Sequence, residues 1–214
     1  MESIATSENE IGSRATALAT TLSVLVAWFL LALWLGVRGA FGGGGGPPVA
    51  LALSLLVPAA VFALDTRLRG PLFEGLRRFD LAGLIALQTY RVGGVFFIVC
   101  WMAGELPGAF ALPAGIGDLV VGAAAPFVAA AVAARRPGHR ALAVGWNILG
   151  IVDLVNALFL GVSHSPPPYG FLAGSVTTAA VTHYPLSLIP TFGVPLAFIL
   201  HALALRRAIT SPRH

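Results

Sequence analysis

Apolar residues gather along this chain in six long runs, separated by short breaks rich in arginine, glycine or proline. The runs cover about 17–37, 49–64, 81–103, 111–134, 141–161 and 184–205. A helix rises about 1.5 Å per residue, so about 20 apolar residues cross a hydrocarbon core of about 30 Å. Backbone amides and carbonyls find no water there, and a helix satisfies them within its own segment. The pattern predicts an all-α, polytopic membrane protein. Its six-transmembrane-helix bundle would occupy 17–207, with polar cytoplasmic tails at 1–16 and 208–214.

The breaks carry signals of their own. The chain opens on Glu2, Glu8 and Glu10. A cleavable leader wants a basic start and a short apolar core, so the first run reads as a retained helix behind a short disordered tail. Gly42 to Gly46, followed by Pro47 and Pro48, reads as a flexible turn. A phosphate loop there would need a lysine, and the chain has none. Leu72, Phe73, Leu76 and Phe79 recur at helical spacing among Arg67, Arg69, Arg77 and Arg78. That is the pattern of a short amphipathic helix on the membrane surface. Asp80 is placed to cap the third helix.

Prolines fall inside the second helix (Pro58), the fourth (Pro126) and the sixth (Pro190 and Pro195). Each removes a backbone hydrogen bond. The sixth helix is therefore expected to kink and to free the carbonyls of Leu186 and Thr191. The longest break, 162–183, holds Pro166-Pro167-Pro168 and is expected to lie on the interface or dip back into the protein.

Composition strengthens the membrane reading. The chain is 57% apolar and 10% charged, where a soluble domain carries about 25% charged residues. The net charge is +4 and all 13 basic residues are arginine. They cluster at the ends of the apolar runs, so they point to topology and lipid headgroups, not to nucleic acid. The breaks after the second and fourth helices hold four and three arginines, the C-terminal tail three, and the breaks after the third and fifth none. The positive-inside rule then puts both termini in the cytoplasm (N-in/C-in) and leaves only Arg38 outside. The expected location is a bacterial inner membrane, with membrane lipid as the first partner.

Three charges interrupt the apolar runs: Arg91 in the third, Asp118 in the fourth and Asp153 in the fifth. Counted along their helices, they lie roughly 16, 20 and 18 Å from the cytoplasmic face. A charge at mid-bilayer costs about 2.5–3.5 kcal/mol on insertion scales, so three at one depth are expected to meet. One arginine against two aspartates leaves an excess negative charge. The cheapest adjustment is a proton held on one carboxylate, because burial and a neighbouring like charge both disfavour its ionised form.

Other residues join this expectation. Gln88 is placed to bond the guanidinium or a carboxylate, and Gly94 to leave room for the arginine. Asn156 lies one turn from Asp153, and Glu105 stands at the outer mouth, extending a polar track toward the trio. The stretches Gly115 to Val120 and Gly150 to Val155 echo each other on helices of opposite direction. Small residues on those faces let backbones approach, and inverted echoes accompany binding sites in several transporter folds.

Three functions fit. The first is a transporter or channel-like protein for a proton, ion or small solute, with Arg91, Asp118, Asp153, Gln88, Asn156 and Glu105 as binding residues. The second is a membrane-embedded enzyme or a metal or cofactor binder at the outer face, built from Glu105, His164 and His183. Those histidines lack ligand spacing, no local nucleophile motif stands out, and no cofactor is implied. The third is a non-catalytic partner subunit, with the Ala-rich stretch Ala123 to Ala134 offering a face to a second copy in a homodimer or to another protein. The trio has a scaffold reading too, an Arg–Asp clamp joining three helices. His201 is expected near the cytoplasmic end of the sixth helix. Cys100, the one cysteine, reads as a small buried apolar residue.

Overall fold

The computed structural model describes residues 2–42, 49–68, 70–76 and 78–210; the side chains of 2–11, 13, 14 and 71–73 are not among those described. The predicted turn at 43–48, Arg69, Arg77, Arg213 and the side chains of Arg14, Leu72 and Phe73 lie outside the described residues. All regular structure among the described residues is helical. The α-helices are α1 (Glu2–Val37), α2 (Val49–Leu68), α3 (Pro71–Leu76), α4 (Leu81–Ala86), α5 (Val95–Met102), α6 (Gly108–Ala133), α7 (His139–Ser163) and α8 (Val194–Thr210). A 3₁₀ stretch, Leu87–Gly94, joins α4 to α5, and a 3₁₀ turn covers Thr178–Thr182. A π-helical turn, Ile189–Gly193, leads into α8.

Six segments are long and apolar enough to cross a membrane: Ala15–Val37, Val49–Leu68, Leu81–Met102, Gly108–Ala133, His139–Ser163 and Ile189–Thr210. The protein is an all-α six-span bundle, as its apolar runs predict. Two ends differ from the expectation. The first helix starts at Glu2, so 2–16 is helical and not a disordered tail; Thr16 and Thr20 donate to the carbonyls of Gly12 and Thr16 along it. A helix satisfies its own backbone wherever its side chains can be solvated, so polarity alone does not end one.

The sixth span starts at Ile189 and not at Tyr184, because 184–187 form turns. The Leu186 carbonyl is not freed there; it accepts the Ile189 N–H at 3.0 Å. Pro190 has no N–H to give, and the Val194 N–H reaches back five residues to Ile189 instead. The expected kink is thus resolved as a π turn, an insertion that widens a helix locally.

The third to sixth spans form the bundle proper. α6 lies at its centre, packed against α4, the 3₁₀ stretch, α5 and α7, while α8 closes the ring against α4 and α7. α1 and α2 lie outside it, and α2 buries no residue. The amphipathic piece does form, as α3, but it is docked rather than free: Gly75 and Leu76 are buried. A methyl on Gly75 would stand 1.8 Å from Thr21 Oγ1 of α1.

Two apolar clusters fill the bundle. One, on the arginine-rich side, joins Leu84, Ile85, Val121, Ala125, Trp146, Leu200 and Leu203. The other, on the opposite side, joins Phe97, Leu106, Phe110, Ala111, Ala114 and Leu186. Along their spans, Arg91, Asp118 and Asp153 fall between the two clusters.

Candidate functional site

Arg91 stands on the 3₁₀ stretch. In a 3₁₀ helix residues three apart eclipse one another, so Gln88, Arg91 and Gly94 fall on a single line, and these three are the buried residues of the stretch. An eight-residue run is long for this helix type, in which three or four is usual. Its backbone lies against α6: a methyl on Gly122 would stand 2.6 Å from Val92 N, and one on Gly94 2.2 Å from Asp118 Cβ. Gly94 therefore makes room for the aspartate and not, as expected, for the arginine.

The three charges meet. Arg91 Nε donates to Asp118 Oδ1 at 2.7 Å, and Nη2 donates to Asp153 Oδ2. Nη1 donates to the Gly150 carbonyl at 3.3 Å. The side chains of Arg91, Asp118 and Asp153 are 2%, 14% and 11% exposed. Gly117 clears space for Asp153, whose Oδ1 would lie 1.7 Å from an added methyl. The glycines of the echo thus mark close approaches: Gly115 to Ile98 of the third span, Gly117 to Asp153 of the fifth and Gly150 to His201 of the sixth.

A fourth partner was not legible. His201 is fully buried, and its Nε2 lies 3.1 Å from Arg91 Nη1. A guanidinium only donates, so Nε2 is the acceptor and the imidazole proton sits on Nδ1. Nδ1 donates to Asn147 Oδ1 at 2.9 Å, and Asn147 Nδ2 donates to the Ala143 carbonyl at 2.8 Å. A directed chain therefore runs Arg91, His201, Asn147, Ala143. Trp146 packs on the imidazole with ring centroids 5.1 Å apart. The placement of His201 corrects the sequence reading. α8 continues to Thr210, so the residue stands about 14 Å from the helix end, well inside the sixth span.

The other expected residues divide. Gln88 is buried, but its Nε2 donates to the Ala197 carbonyl of α8 at 3.0 Å and not to a carboxylate; its Oε1 has no partner among the described residues. Asn156 is exposed and outside the Arg91 network. Glu105 is exposed and lines a cavity of about 780 Å³ that reaches Arg91 and Asp118. His183 lines the same cavity. His164 does not: it is buried, with Nδ1 donating to the Leu160 carbonyl at 3.0 Å. Glu105, His164 and His183 are thus not brought together, and no group of three His, Cys, Asp or Glu among the described residues could hold a metal ion.

A second cavity of about 580 Å³ also ends on Asp118 and is bordered by Gly42, Ser165 and Pro166 near the arginine-poor face. The two share Asp118, Leu154, His183, Ile189 and Val194. Asp118 uses one carboxylate oxygen for Arg91, and its Oδ2 has no hydrogen bond among the described residues.

Fold and site together define a six-span integral membrane protein with a buried, hydrogen-bonded charge network reached by cavities. The chain belongs to the family described as a domain of unknown function, DUF8737, whose model matches residues 47–209. The match covers the second to sixth spans and every residue of the network. No curated protein and no solved structure matches the chain.

Proposed function

We propose that this protein is a proton-coupled transporter of a small solute, residing in a bacterial inner membrane with its arginine-rich face toward the cytoplasm. One observation carries the reading: a carboxylate within the fourth span, Asp118, is held by Arg91 through one oxygen and stands in the wall of two cavities. A pure clamp needs no such access. Intramembrane carboxylates that line a cavity are suited to take up and release protons.

In this mechanism Arg91 fixes the Asp118 and Asp153 carboxylates, and His201 holds the fourth side of the guanidinium. A proton arriving through the cavity adds to Asp118 and weakens its bond to Arg91 Nε. The 3₁₀ stretch on the third span and the π turn on the sixth pack against each other through Tyr90 Oη, which donates to the Gly193 carbonyl at 2.6 Å. These two irregular segments are where the spans can shift when that bond weakens.

The test is proton flux in proteoliposomes holding a pH-sensitive dye. Asp118→Asn and Asp153→Asn are each expected to abolish flux while the protein stays monodisperse. Loss of folded protein in both variants would favour the clamp.

A further inference from the structure

We infer that the larger cavity takes a lipophilic organic cation, which enters from the lipid between the third and sixth spans; this rests on the transporter reading and names its substrate class. Four features of the wall point there.

The first is shape and place. About 780 Å³ falls within the range of drug-sized ligand sites, about 300–1,000 Å³. Tyr90 and Phe96 on one side and Tyr184 on the other belong to the wall and are at the same time exposed. The cavity is therefore open sideways, toward lipid. The second is the surface offered. Tyr90, Phe96, Tyr184 and Phe192 put aromatic rings in the wall, and ring faces attract cations.

The third is charge. Arg91, Asp118 and Glu105 belong to the wall, and Asp153, outside it, is bonded to Arg91, so three acidic groups stand against one arginine. Four of the five N–H donors of Arg91 go to Asp118, Asp153, His201 and Gly150, so no pair of donors is left to grip an anionic ligand as a fork. Glu105 at the mouth and Asp118 Oδ2 at the base remain. His183 is at the rim, His201 lies behind Arg91, and Tyr90 Oη is occupied by Gly193. The fourth is what is missing for an inorganic ion. A small hard cation needs several oxygen ligands to replace its water, and this wall is chiefly apolar. A cation whose charge is spread beneath hydrocarbon needs no such shell.

The experiment is equilibrium binding to the purified full-length protein in nanodiscs, with two probes of one shape and opposite charge. Tetraphenylphosphonium is expected to bind saturably, one per chain, and tetraphenylborate at least about tenfold more weakly, a difference of one unit in log Kd. Asp118→Asn should weaken the cation at least about tenfold. Glu105→Gln, at an exposed side chain, should weaken it by about two- to fivefold, the scale of an exposed ion pair. Phe192→Ala should weaken both probes.

Equal or tighter binding of the borate overturns the inference. So does a cation affinity unmoved by both Glu105→Gln and Asp118→Asn, or no saturable binding of the cation. If Asp118-dependent proton flux persists while the cation does not bind, the substrate class is wrong and the transporter stands. If the cation binds as described and no variant or wild-type protein moves protons, the site stands and coupling to protons fails.

Discussion

Arg91 makes four directed bonds from a side chain only 2% exposed. Removing one partner of a buried ion pair costs about 3–5 kcal/mol, because the remaining charge is stranded. Arg91→Met leaves two carboxylates stranded and is expected to destabilise the protein by at least that amount, read from unfolding in micelles. Adding Asp118→Asn and Asp153→Asn to the same chain should recover much of the loss, since neutral groups of similar volume need no counter-charge. A triple variant no more stable than Arg91→Met would show that the network is not the unit proposed.

The same scale separates what could be read from residues alone. Arg91, Asp118 and Asp153 stand out because an unpaired charge in an apolar run is too costly to be filler. His201 and Asn147 are neutral, so nothing in the pattern marks them. The depth of His201 also depended on where its helix ends. His201→Leu should cost about 1–3 kcal/mol, the penalty for leaving the Asn147 carbonyl oxygen and an Arg91 donor unpaired.

At the scale of elements, the network depends on backbones brought closer than side chains allow. A methyl on Gly150 would lie 2.3 Å from the His201 ring, and on Gly94 2.2 Å from Asp118 Cβ. A methyl on Gly93 or Gly145 meets nothing within 4 Å. Four single alanine variants therefore split into two pairs. Gly94→Ala and Gly150→Ala should lose about 1–3 kcal/mol by overpacking. Gly93→Ala and Gly145→Ala should be neutral or gain about 0.4–1 kcal/mol from a less flexible unfolded chain. Four equal effects in denaturant melts would mean that these glycines act through helix propensity and not through contact.

The six spans were legible because span length and apolarity follow from the thickness of the bilayer. The 3₁₀ stretch was not, since residues three apart share a face in an α-helix as well, and the inward line of Gln88, Arg91 and Gly94 fits both. The π turn was half legible: Pro190 announces a defect but not its form. The polar start of α1 misled because hydropathy reports where a helix meets lipid, not where it begins.

For the whole molecule, the argument turns on which face opens to the buried charges. Cys100 is the one cysteine of the chain and lines the larger cavity together with Glu105. It is a built-in reporter of access. Glu105 and Asp118 give the cavity a negative field, and charges enclosed by low-dielectric walls act over longer distances than in water. A membrane-impermeant cationic thiosulfonate, applied from the arginine-poor face, should therefore modify Cys100. The ratio of its rate to that of an anionic thiosulfonate should exceed the ratio for a free thiol in solution. Glu105→Gln should lower that ratio, because the carboxylate stands at the mouth.

Applied from the arginine-rich face, neither reagent should reach Cys100, because Leu84, Ile85, Val121 and Leu200 fill the bundle on that side. A control fixes the orientation: Arg136→Cys, in the exposed turn between α6 and α7, placed in a Cys100→Ser chain, should react from the arginine-rich face alone. Modification of Cys100 from the same face as Arg136→Cys would reverse the opening. It would also force the uptake step to begin at the cytoplasm.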